Sequence, residues 1–161
     1  MTSKIRSPRE ITRINIKYEL RMINVGTDVK SEHLKEKKKK KISEKRDDFI
    51  GSIYTDSILL HVRNLYYFFY SKKGAKAKDF LLHKWMPTKF NKIDNKLIDD
   101  ISIYRSHISK SRKMGDGKPK WERIIEKMRD EISKVYEEFR EQLSHKELEN
   151  WPEWETLTKI L

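Results

Sequence analysis

The chain has 161 residues, 36% hydrophobic and 39% charged, and carries a net charge of +12. One domain spanning residues 1–161 fits that length, with solvated helical faces around a modest core, while four Trp, seven Tyr and six Phe exclude wholesale disorder. The lack of cysteine excludes disulfides, thiolate zinc sites and a cysteine nucleophile, and five Gly and four Pro leave little turn chemistry for a many-stranded sheet.

The first helix is expected to start at Pro8, with Ser7 as its cap. Ile11, Ile14, Tyr18 and Met22 make its apolar stripe, widened by Ile16, Leu20 and Ile23, and Gly26-Thr27-Asp28 reads as its stop. Residues 30–48 contain Lys37, Lys38, Lys39, Lys40 and Lys41. Five adjacent lysines repel one another and offer no apolar face, so a mobile or solvated basic segment is expected there.

A second helix is expected from about Glu44 to Ser71, ended by Lys72-Lys73-Gly74. Its segment Leu59–Tyr70 is apolar nearly all round, yet holds His61, Arg63 and Asn64. A short helix or turn over Ala75–Trp85 is anchored by Phe80, Leu81, Leu82 and Trp85, and a loop follows over residues 87–95. The third helix covers roughly Lys96–Lys113, with Leu97, Ile101, Tyr104 and Ile108 inward. Gly115–Pro119 is the clearest breaker. The last long helix, about Lys120–Gln142, carries a clean stripe from Trp121 and Ile124 to Tyr136 and Phe139. Residues 144–161 form a C-terminal extension whose Trp151 and Trp154 either dock on the bundle or serve a partner.

Charge is unevenly placed. Residues 1–48 hold 15 Lys/Arg against 8 Asp/Glu (+7), residues 49–119 hold 14 against 6 (+8), and residues 120–161 hold 8 against 11 (−3). The front two-thirds therefore favours an anionic partner, with nucleic acid the obvious candidate and a merely soluble basic protein the alternative. No signal-peptide core follows Met1–Arg6, and no apolar run approaches a membrane span, so a cytoplasmic protein without a membrane partner is expected.

Ser57, His61 and Asn64 share one face of the second helix. If the second and third helices pack together, His61 and His107 approach one cleft, with Arg63 or Arg112 beside them. Imidazole exchanges protons near neutral pH and guanidinium holds phosphate at two points, which is the chemistry that metal-independent RNA cleavage needs. The alternative is a satisfied polar network that holds helix register. Lys37–Lys41 and Lys110 are the candidate nucleic-acid contacts. No metal pair or cofactor-binding motif is present, and no metal or cofactor is expected.

Lys17-Tyr18-Glu19-Leu20-Arg21-Met22-Ile23, His61-Val62-Arg63-Asn64-Leu65 with Phe68-Phe69, Ala77-Lys78-Asp79-Phe80 with Trp85, and Ser106–Arg112 together resemble a family of uncharacterised prokaryotic helical proteins similar to HEPN-type domains. The resemblance covers roughly residues 10–142. It implies an all-α, four-helix up-and-down bundle, often a homodimer, that cleaves RNA as a metal-independent endoribonuclease or binds it, in defence or toxin–antitoxin settings. The HEPN nuclease signature places a histidine four to six residues after an arginine. Arg140–His145 matches it literally, but chance alone predicts roughly one such match in a chain of this composition. His107 and Arg112 stand in the reverse order. The competing expectation is a non-catalytic interaction protein whose polar residues are structural.

Overall fold

A computed structural model describes residues 6–40, 44–71, 74, 76–90, 93, 95–102 and 124–158. Among these the protein is all-α, with no strand. Its helices are α1 (Pro8–Lys40), α2 (Glu44–Tyr70), α3 (Asn95–Ile101), α4 (Ile125–Glu141) and α5 (His145–Leu148), with 3-10 turns at Ala77–Phe80 and Trp154–Thr158.

The start of α1 is set as its sequence suggests. Ser7 Oγ accepts from the Glu10 amide at 3.2 Å, and Pro8 occupies the first helical position, where its missing N–H costs nothing. The expected stop at Gly26-Thr27-Asp28 is overridden, and the helix runs on through the lysine-rich stretch to Lys40. The physical reason lies in α2. A Cβ on Gly26 would meet Ile58 Cγ1 at 3.1 Å, so the glycine is a place of close helix approach rather than a terminator. Thr27 Oγ1 donates to the Ile23 carbonyl at 2.7 Å, and both Thr27 and Lys30 are buried. Lys30 Nζ donates to Thr55 Oγ1 at 2.9 Å, which itself donates to the Gly51 carbonyl at 2.8 Å. Packing of this kind outweighs the roughly 1 kcal/mol that a glycine costs inside a helix.

The contacts Lys30–Thr55, Gly26–Ile58 and Glu19–His61 run in opposite sequence directions, so α1 and α2 form an antiparallel hairpin. The face that α1 buries is Ile16, Leu20 and Ile23. Ile11, Ile14 and Tyr18, expected to share in that core, are 47%, 40% and 54% exposed and turn outward. On α2 the core face is Ile58, Leu59, Val62, Leu65, Phe68 and Phe69, whereas Ile53, Leu60 and Tyr67 lie outward at seven-residue intervals.

The stripe on α4 is as expected over its described length, with Ile125, Met128, Ile132, Val135, Tyr136 and Phe139 all buried. In α3, Ile98 and Ile101 are buried, and the rest of the span to Lys113 expected as helix lies outside the described residues. The loop after the first 3-10 turn is tied down at several points. Tyr70 Oη donates to the Thr88 carbonyl, and the amides of Thr88 and Ile93 donate to Glu138 and Glu131 at 3.3 Å.

The C-terminal segment docks. Trp151 is fully buried against Phe139 (5.0 Å between ring centroids), Phe80 (5.1 Å) and Phe68 (6.2 Å). Its backbone is held by Arg140 Nε, which donates to the Trp151 carbonyl at 3.0 Å, and by Tyr136 Oη, which donates to the Pro152 carbonyl at 2.6 Å. Arg9 and Arg13 at the start of α1 both reach Glu147 of α5, at 2.9 and 3.1 Å. The segment therefore completes the core between α2 and α4.

Candidate functional site

His61 is 93% buried on the side of α2 that meets α1. Its Nδ1 lies 2.5 Å from Glu19 Oε2, and the other carboxylate oxygen accepts from Asn64 Nδ2 at 3.1 Å. The spacing explains the geometry. His61 and Asn64, three apart on α2, present to one side, and Glu19 reaches both from the facing turn of α1. An ionised carboxylate only accepts, so the proton sits on Nδ1 and the ring orientation is set. Among the described residues, the hydrogen bond found on the ring is the one at Nδ1. Tyr18 stands edge-on to the imidazole, with ring centroids 5.5 Å apart at 81°.

Tyr18 also lines a cleft of about 420 Å³ with Lys17, Arg21, Glu149, Pro152 and Leu157. Burial first, and then the Arg13 guanidinium, holds the Lys17 amine below its ordinary range. Tyr18 thus stands between the imidazole and a cleft whose charged lining is Lys17, Arg21 and Glu149. An oriented imidazole can exchange a proton, and a cleft with two basic side chains can attract an anion.

Arg63 is not part of this constellation. Two positions along a helix turn the side chain by about 200°, so Arg63 faces away from His61. Its Nε is buried and makes no hydrogen bond among the described residues. His107, Arg112, Lys110 and Lys41 lie outside the described residues, as does any juxtaposition of His61 with His107. Lys37–Lys40 form the last turn of α1 in backbone. The literal Arg140–His145 match has a structural use. Arg140 Nη1 pairs with Glu137 at 2.6 Å and its Nε holds the Trp151 carbonyl, in a cleft of about 340 Å³ that also contains Glu137 and Glu141. Two carboxylates beside that arginine disfavour phosphate.

Sequence reasoning missed Glu19. It lies 42 residues from His61 and reads as an ordinary helix-surface charge. The segment Lys17–Ile23 was singled out only through the family resemblance, which assigned Glu19 no role.

Among the described residues no group of three or more His, Asp or Glu is placed to hold a metal ion, and no helix is long and apolar enough to cross a membrane. No protein-family model, no curated protein and no solved structure matches the chain.

Proposed function

We propose that the protein is a HEPN-like four-helix up-and-down bundle that binds RNA and cleaves it without metal, in the cytoplasm, in a defence or toxin–antitoxin setting. The observation that carries this reading is the Glu19–His61–Asn64 cluster, which orients one imidazole against Tyr18, a residue that also lines the cleft of Lys17 and Arg21. In the proposed reaction His61 Nε2 accepts the proton of a ribose 2′-hydroxyl. That oxygen then attacks the adjacent phosphorus, and the 5′-oxygen leaves with a proton from a second acid, the role assigned to His107. The products are a 2′,3′-cyclic phosphate and a free 5′-hydroxyl. Lys17 and Arg21 supply positive charge near the anion, as does Arg112 in the proposed bundle.

The test is labelled RNA incubated with the protein in excess chelator, beside His61→Ala, His107→Ala and Glu19→Gln variants. His61→Ala is expected to lower the rate by roughly 10²–10⁴-fold, the usual range for losing a general acid or base. Wild-type protein that leaves RNA intact, or variants that cleave as fast as wild type, would sink the nuclease reading.

A second reading is favoured by the outward apolar residues. Ile53, Leu60 and Tyr67 on α2, with Ile11, Ile14 and Tyr18 on α1, suit a helical interaction module that pairs with a second copy, its polar cluster only locking the hairpin. Light scattering on the wild type and on Leu60→Asp tests it. A dimer that the substitution dissociates is expected, and a wild-type monomer at tens of micromolar overturns it.

A further inference from the structure

A second cleft lies at the far end of α2, away from His61. It encloses about 350 Å³, within the roughly 300–1,000 Å³ usual for small-ligand sites. Tyr70, Trp85 and Met86 form its apolar wall, and Lys76, Lys78 and Lys89 line the same opening. No carboxylate is among the described lining residues.

The wall is built rather than incidental. Trp85 packs on Phe139 at 6.0 Å between centroids, and Tyr70 stacks on Tyr66 at 4.9 Å. Tyr70 Oη holds the Thr88 carbonyl, and Glu138 accepts from the Thr88 amide, so the loop carrying Trp85, Met86 and Lys89 is tied to α2 and α4. Met86 nevertheless stays 80% exposed on this loop, and Lys78 and Lys89 are exposed.

An occupant must satisfy two demands at once. It needs a flat apolar face for the Trp85–Met86 wall and negative charge for the lysines. One unpaired nucleotide has both, since a base stacks on aromatic side chains regardless of its identity and its phosphate is held by lysine. We propose that this cleft binds one nucleotide of a single-stranded RNA, its base against Trp85 and Met86 and its phosphate held by Lys78 and Lys89. The proposal rests on the RNA reading above and adds a binding subsite remote from the proton-transfer residues. His61 and Tyr70 are nine helical residues apart, roughly 14 Å along the axis, so one bound strand of a few nucleotides spans the distance between the two sites.

The experiment uses the full-length, isotope-labelled chain and follows its indole N–H signals by NMR, the Trp85 signal being assigned through Trp85→Phe. Titration with a mixed-sequence RNA hexamer is expected to move the Trp85 signal saturably and leave the signal of buried Trp151 in place. Lys78→Gln/Lys89→Gln, two exposed positions that do not threaten folding, is expected to weaken binding at least fivefold, whereas Lys127→Gln on the surface of α4 changes it less than twofold. Four outcomes overturn the proposal. If the hexamer shifts His61 signals but not Trp85, the cleft fails and the RNA reading survives. If it shifts neither, both fail. If uridine monophosphate alone saturates Trp85 as tightly as the hexamer, the site serves a free nucleotide. If a tyrosine-containing acidic peptide competes as well as RNA, it serves a protein.

Discussion

Along α2, the turn around His61 and the turn from Phe68 to Tyr70 meet the rest of the protein in different ways. His61 and Asn64 are polar groups set in an apolar helix, and α1 answers them with one carboxylate that takes both hydrogen bonds. Phe68 and Phe69 are answered by rings from three other segments, Phe80, Phe139 and Trp151. The first contact is narrow and directional, and it depends on one residue. The second is broad and spread over many small dispersion contacts. Stability should therefore reside at the aromatic end and chemistry at the polar one, because area burial stabilises without regard to orientation whereas proton transfer requires it.

The largest expected effect tests the aromatic end. Trp151→Ala should cost about 3–5 kcal/mol, the range for emptying a fully buried aromatic site, read as a lower urea midpoint. The proposed RNA cleavage, per folded molecule, should stay close to wild type, and a large loss there would break the division between the two ends. At the polar end, Glu19→Ala should cost about 1.5–3 kcal/mol, because it removes two hydrogen bonds to a charged group. The same substitution should depress the proposed cleavage far more than it depresses stability. Equal losses in both would make the cluster a helix lock.

A smaller effect concerns the hairpin that brings Glu19 to His61. Gly26→Ala gains helix propensity but drives a methyl to 3.1 Å from Ile58, a side chain with no exposed surface into which to move. A net loss of about 1 kcal/mol is expected in the same unfolding assay, because overpacking outweighs the propensity gain. The smallest effect is alkaline. Burial, foremost, and the nearby Glu137 hold the Tyr136 phenol well above its ordinary value of 10.0, against an opposing pull from Arg140. The unfolded chain then loses that proton before the folded one does, so the contribution is present below pH 10 and declines as pH rises through and above it. Tyr136→Phe should flatten that decline in thermal melts between pH 9 and 11, at some cost in the bond to Pro152.

Much of the architecture was legible. The α4 stripe, the Ser7–Pro8 start of α1 and the apolar length of α2 are local patterns, and local patterns survive folding. The inward face of α1 was not legible, because the helix is apolar on two sides. Ile11, Ile14 and Tyr18 compete with Ile16, Leu20 and Ile23, and periodicity cannot rank two stripes. Gly26 misled for a related reason, since a glycine that ends a helix and one that admits a neighbouring helix look alike in a sequence. In the candidate site, His61 stood out as a polar residue in an apolar run, while Glu19 was one acidic residue among many. The lysine-lined cleft brings Lys76, Lys78 and Lys89 together round Trp85, a clustering that only the packed loop creates.

By itself, the sequence determined that the protein is helical, strongly basic toward its N-terminal two-thirds and free of cysteine chemistry, because these follow from composition and short-range spacing. The tertiary structure decided which face of α1 is core, that α1 passes through Gly26, that the C-terminal tryptophan closes the aromatic core, and that Glu19 is the partner of His61. Each of these depends on contacts between residues far apart in the chain, whose energies exceed the local preferences they override.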